Sequence, residues 1–293
     1  MWVIFSISAA FLWAVVNIID KYILTKWVKN PFVPIIIGDV IGLLISFFIY
    51  FFIGFSHLSY LNIALAFIAG IFYILAILFY FKAAKIEEIS RIIPLFSLAP
   101  LFVLILATIF LGEIFTPVKY LGIFILIIGA ILISSKNFIK ISFGRAFWFI
   151  MLSSLAISVN SVISKYLLNF ADFWTIFSYT RIGTIFALVP IFYFNFQDLL
   201  FTLKKQGKKV VGLISLAGLL NLIAVLFITI AFSVGYVTLV NALSQIQPFF
   251  VLFFATILSI FYPNVLKEEV GKLTIVFKFI ATILLFIGAI LIT

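Results

Sequence analysis

Apolar runs follow one another down this sequence with almost no charge inside them, as in Ile123–Ile133 and Phe249–Ile260. A helix needs about 20 such residues to cross a bilayer. It also satisfies its own backbone polar groups, which lipid cannot do. A transmembrane barrel would instead show segments of about ten residues alternating in polarity, and these runs do not alternate. Only 10% of the residues are charged and 66% are hydrophobic. A soluble surface usually draws on about 25% charge, and a disordered chain is far less apolar. The 293 residues therefore predict an all-α polytopic membrane protein. Ten transmembrane helices are expected over residues 2–24, 32–55, 60–81, 91–111, 117–135, 146–168, 173–194, 210–232, 236–261 and 274–293. Asn30-Pro31, Gly54 to Ser59, Gly112 to Pro117 and Pro263-Asn264 supply turn chemistry between them.

The net charge of +10 does not point to nucleic acid, because the basic residues sit in short connections where they orient helices. The chain has no cysteine and one histidine, His57. Thiol chemistry and His-cluster metal sites are therefore not expected, and no cofactor is. No Walker-type sequence, H-E-x-x-H or G-x-S-x-G motif occurs, so neither ATP hydrolysis nor an enzyme is expected. The N-terminus reads as a retained span rather than a cleaved signal peptide.

The chain repeats itself. Shifted by 148, residues 69–109 fall on 217–257 without a gap, and 14 of the 41 columns are identical. Ala69-Gly70 meets Ala217-Gly218, Pro100 meets Pro248, and Phe102-Val103-Leu104 meets Phe250-Val251-Leu252. At nearby offsets Lys21-Tyr22 matches Lys165-Tyr166, Ile41-Gly42 matches Ile182-Gly183, and Ile128–Ile133 matches Ile287–Ile292. The expected organisation is a first five-helix repeat over 1–135, a connecting loop over 136–145, and a second repeat over 146–293. Five is odd, so the second copy enters the membrane inverted. Inverted repeats place a site near the midplane and give alternating access by rocking.

The chain resembles the drug/metabolite transporter superfamily, in particular its EamA-type ten-helix members. The resemblance rests on the short connection Phe81–Ser90, on Ala99-Pro100-Leu101-Phe102-Val103 followed by Leu111-Gly112-Glu113, Gly122 and Gly129, and on the second copy around Pro248. The second copy departs from the pattern: Leu258-Ser259-Ile260 replaces Leu-Gly-Glu, and Glu268-Glu269 come later. The resemblance implies a substrate site on helices one, three, four, six, eight and nine. It also implies termini in the cytoplasm. Charge implies the reverse: Lys and Arg crowd the odd loops while the even loops hold little beyond Lys119, which puts the odd loops inside.

Ionisable groups within spans are expensive and tend to be functional. Arg181 and Asp39 each lie ~11 Å along their helices. Arg181 is a candidate for binding a substrate anion, and Asp39 for a protonatable coupling site. Lys21 and Lys165 occupy matching repeat positions. Each is read either as a lysine complementing a helix C-terminus or as the end of a polar cavity wall, formed with Asn17 in helix one and with Ser154, Ser158 and Ser161 in helix six. Asn241, Gln245 and Pro248 share a face of helix nine. Tyr73 and Asn221 occupy the same repeat position, and both are expected on the site wall. Pro100 and Pro248 are expected as hinges. Glu113 reads as a solvated loop charge or salt-bridge partner.

The expected function is secondary transport of a small polar metabolite, amino-acid-like or bearing a carboxylate or phosphate, across the cytoplasmic membrane in the export direction. The expected partners are that solute and the lipid bilayer, not nucleic acid, with a homo-oligomer left open. The alternatives are a proton-coupled exporter of lipophilic cations, a lipid-linked flippase and an assembly subunit.

Overall fold

A computed structural model describes residues 1–28, 30–84, 86, 95–134, 144–261 and 272–293. Side chains of 21, 24, 25, 84, 133, 134, 259–261 and 272–277 are outside the description. Among the described residues the regular structure is helical. The helices are α1 Trp2–Lys26, α2 Phe32–Phe52, α3 Tyr60–Ala84, α4 Ala99–Leu111, α5 Pro117–Ser134, α6 Arg145–Leu167, α7 Phe173–Gly183, α8 Ile185–Lys205, α9 Gly207–Val234, α10 Val237–Ser244, α11 Gln247–Phe261 and α12 Lys272–Ile292. Seven described segments are long and apolar enough to cross a membrane. Among them are Phe173–Lys205, which joins α7 to α8, and Val237–Leu258, which joins α10 to α11. Three shorter apolar segments, Ala99–Leu111, Pro117–Leu132 and Lys278–Ile292, fall within the fourth, fifth and tenth expected spans.

Three spans differ from expectation. The seventh continues past residue 194 to Lys205. Asn195, Gln197 and Asp198 lower the hydropathy there without breaking the helix. Leu199 and Thr202 are buried, and Asn30 donates to Asn195 (2.7 Å) and to Asp198 (2.6 Å), tying the first loop to this helix. The following turn is short, with Gly207 at φ +81, a region L side chains disfavour. The ninth span breaks at Gln245-Ile246, ahead of Pro248, which becomes the second residue of α11. A proline is tolerated in a first helical turn, whose N–H groups lack intrahelical partners anyway. Pro100 occupies the same place in α4. Two backbone bonds at each break correspond. Leu98 donates to Leu95 (3.1 Å) and Leu101 to Leu98 (2.9 Å); Ile246 donates to Leu243 (3.1 Å) and Phe249 to Ile246 (3.0 Å).

Packing follows the same correspondence. The first span lies along the eighth and the third along the sixth; the second packs on the eighth and the third on the seventh; the first meets the ninth and the fourth meets the sixth. Adding or subtracting five from each span number turns one member of each couple into the other. The pairs two with seven and five with ten map onto themselves. Small residues allow these approaches: Gly218 sits against the Gly38 backbone, and Gly70 against the backbone of Thr180 and Gly183. A core of Ile123, Leu126, Leu239, Leu243 and Leu285 joins the fifth, ninth and tenth spans. Phe47, Phe48, Phe51 and Phe52 are exposed on α2, as a lipid-facing surface requires.

One connection is built for precision. Asp172 caps α7, accepting from the Trp174 amide (2.9 Å) and the Thr175 amide (3.1 Å). Its other oxygen accepts from the hydroxyls of Thr175 and Ser56. Burial alone would raise this carboxyl's pKa, but the hydrogen bonds from Ser56, Thr175 and Trp174 outweigh it and hold it below the usual range. The folded pKa is therefore the lower one. The stabilisation is present above the unfolded pKa and is lost as pH falls through the folded value. Asp172→Ala is expected to lower stability by about 0.5–2 kcal/mol, as for other N-cap losses. Thermal unfolding in detergent micelles checks this, and the variant should be less sensitive than the parent to acid in that window.

Candidate functional site

A chain of polar contacts crosses the middle of the bundle. The Trp13 indole donates to Asn221 Oδ1 at 3.0 Å, and Asn221 Nδ2 donates to the Tyr73 hydroxyl at 3.2 Å. The Arg181 guanidinium lies over the Tyr73 ring, 4.3 Å from its centroid, and 5.7 Å from that of Phe177. Arg181 Nη1 then reaches Asp39 Oδ1 at 3.4 Å. The first, second, third, seventh and eighth spans each contribute. These residues lie ~11–21 Å inside their helix ends, which is the middle of a membrane-spanning bundle.

The ion pair is deeply buried, with Arg181 2% and Asp39 5% exposed. Its geometry is loose. A charge-assisted bond is usually ~2.7–2.9 Å, and arginine commonly engages a carboxylate through two parallel bonds; here one contact stands at 3.4 Å. Arg181 Nε and Nη2, Asp39 Oδ2, and the hydroxyls of Ser178 and Thr180 have no hydrogen-bond partner among the described residues. Buried polar groups ordinarily have one. Gly42 leaves room for the arginine stem, since a Cβ there would stand 3.4 Å from Arg181 Cδ. The cluster thus holds a cation, two of whose nitrogens are unpartnered among the described residues, beside a carboxylate.

The other expected residues are placed as follows. Asn17 is exposed, one turn beyond Trp13. The backbone of Lys21 belongs to α1, and its side chain is outside the described residues. Ser161 is buried and donates back to Ile157 O (3.0 Å), while Ser158 donates to Ser154 O (2.6 Å) and to Ala99 O (3.1 Å) at the break of the fourth span. Asn241 donates to Val237 O (2.8 Å), and Gln245 is half-buried at the break of the ninth span. Neither is joined to the Arg181 chain by a hydrogen bond.

Lys165 lies elsewhere, near the membrane face that carries the even loops. Its ammonium donates to the carbonyls of Phe232 (2.6 Å) and Gly235 (2.7 Å), closing the C-terminal end of α9. Glu113 works on the other side of the same turn. Its Oε1 accepts from the Val237 amide (2.8 Å) and Oε2 from the Thr238 amide (3.1 Å), capping α10. It is 3% exposed, which corrects its reading as a solvated loop charge. Gly112 at φ +67 ends α4 and turns the glutamate inward. The Leu-Gly-Glu sequence was the available signal for this role. For Trp13, the signal was its place one turn before Asn17.

The model of the EamA-like transporter family matches residues 1–135. No curated protein matches the chain. A solved crystal structure is similar over 100% of this chain and 96% of its own, with 16% identity and a TM-score of 0.71; at that identity the likeness is one of fold. Residues 1–135, a little under half of the chain, are thus similar to the EamA-like transporter family, a branch of the drug/metabolite transporter superfamily.

Proposed function

We propose that the protein is a secondary transporter of a small metabolite bearing a carboxylate or phosphate, exporting it across the cytoplasmic membrane by alternating access. The observation that carries this reading is Arg181. It is a buried guanidinium with Nε and Nη2 unpartnered among the described residues, held to Asp39 by one long contact. A planar, permanently charged fork suits a carboxylate or phosphate. Tyr73 and Asn221, joined by a hydrogen bond, line the approach, with Asn17, Asn241, Gln245 and Ser161 as further wall residues. When the solute's anion takes the guanidinium, Asp39 loses its counter-ion and accepts a proton. That exchange couples solute to proton without leaving a net charge at the midplane. Pro100 and Pro248, at the starts of α4 and α11, mark where the paired half-helices pivot. A lipophilic-cation exporter is disfavoured, because the carboxylate such a cation needs already faces Arg181.

Thermal unfolding of the purified protein with a panel of amino acids, organic acids, sugar phosphates and lipophilic cations tests this. A ligand at about 100 times its Kd adds roughly 2.7 kcal/mol. An anionic or zwitterionic metabolite is expected to stabilise the parent and not Arg181→Lys, which keeps the charge and loses the fork. Stabilisation by lipophilic cations alone would overturn the proposal.

A further inference from the structure

A cleft of about 570 Å³ opens at the even-loop face, bordered by Glu113, Lys119, Lys165, Tyr166, Asn169 and Tyr236. Among the described residues, Lys119 and Lys165 are the only lysines or arginines at this face. They are 46 positions apart (165 − 119), and both line the same cleft. Lysines are disfavoured on the face opposite the positive loops, so their presence together needs a cause. Lys165 has one in the turn it closes, which uses two of its three donors. Lys119 is half-buried beside it and takes no part in that turn. The cleft's one carboxylate is committed: both oxygens of Glu113 accept amides of α10. With Glu113 set against the two lysines, the side chains of the cleft carry one net positive charge. The hydroxyls of Tyr166 and Tyr236 and the Asn169 amide border it as neutral donors.

We infer that this cleft is a second anion site, separate from Arg181, which seats a carboxylate or phosphate of a soluble metabolite on Lys119 and the free donor of Lys165. The cleft is formed before the ligand arrives. Glu113 and Lys165 fix the turn between α9 and α10 from both sides, and Gly235 lies so close to Trp2 that a Cβ would meet its side chain at 2.8 Å. Its position at the membrane face makes it a waiting station on the route to or from the midplane. A lipid phosphate offers the same chemistry from another source, and the test separates the two.

The chain has no cysteine, so Val234→Cys gives a single labelling position on the exposed rim of the cleft. With an environment-sensitive fluorophore there, and the full chain in phosphatidylcholine nanodiscs, inorganic phosphate and succinate should each produce a saturable change in emission. Lys119→Gln should weaken that binding by about tenfold, the order expected for one charge-assisted contact. Arg181→Lys should leave it unchanged, so the cleft site stands or falls independently of the midplane proposal. No saturable change, a titration indifferent to Lys119→Gln, or a response only when phosphatidylglycerol replaces phosphatidylcholine would overturn the assignment.

Discussion

Asp39→Asn is expected to destabilise the protein more than Arg181→Gln, and the two together less than Asp39→Asn alone. Breaking a buried ion pair by removing one partner costs about 3–5 kcal/mol, because the remaining charge is stranded. The two halves of this pair are not equivalent. A stranded carboxylate can take up a proton, whereas a guanidinium cannot shed one. Asp39→Asn therefore leaves a permanent cation at 2% exposure, with Tyr73 and Phe177 as its remaining neighbours of note. Arg181→Gln should be milder, and mildest in acid. The double variant carries no buried charge and should return to within about 1 kcal/mol of the parent, since a neutral replacement for a buried pair is often tolerated. Transport should not return with it. Thermal unfolding in micelles and flux into proteoliposomes, measured on the same preparations, separate the two outcomes. Parental flux in the folded double variant would remove the pair from the mechanism.

The second large effect is steric. A Cβ on Gly70 would stand 2.2 Å from Thr180 O and 2.7 Å from Thr184 N; one on Gly183 would stand 2.4 Å from Phe67 Cα. These neighbours are backbone and cannot rotate aside. The third and seventh spans must separate, and Arg181 moves with the seventh. Gly70→Ala should therefore reach the upper end of overpacking losses, about 3 kcal/mol or more, and disturb transport. Gly212 is the control. It lies within α9 with nothing within 4 Å of its added Cβ, so Gly212→Ala should gain up to about 1 kcal/mol from helix propensity alone. Opposite signs in one unfolding assay are the expected result. A neutral Gly70→Ala would mean that the two spans do not pack this closely.

The sequence made the membrane class legible because hydropathy reports the solvent directly. A repeat is written in it as well: Pro100 with Pro248 and Gly70 with Gly218 recur 148 positions apart. Arg181 and Asp39 stood out individually through the rarity of charge inside spans. Their pairing did not, since nothing local in the second span announces the seventh as its neighbour. Helix boundaries failed where polarity and helicity parted company: Asn195 and Asp198 look like a loop, yet the backbone continues because Leu199 and Thr202 still have a core to enter. Glu113 was misread for the converse reason. A charge in a connection is usually wet, and only the fold brings the bare amides of α10 to it.

Tyr73 and Asn221 are separated by 148 positions (221 − 73), the offset of the internal duplication, and they touch each other. Equivalent positions that touch lie at the axis relating the two halves. In an antiparallel pair of identical chains, such positions would have to carry the same residue on both sides. A fused chain is free of that constraint and can make the contact between a phenol and an amide. The charges exploit the same freedom. At the local offset of 141 that relates Gly42 to Gly183, Asp39 corresponds to Thr180, and Arg181 to Val40. A homodimer would have placed two arginines and two aspartates around its centre, while this chain keeps one of each. One chain can thus hold at its centre a single acid from its first half facing a single base from its second, an asymmetry that two identical chains could not make.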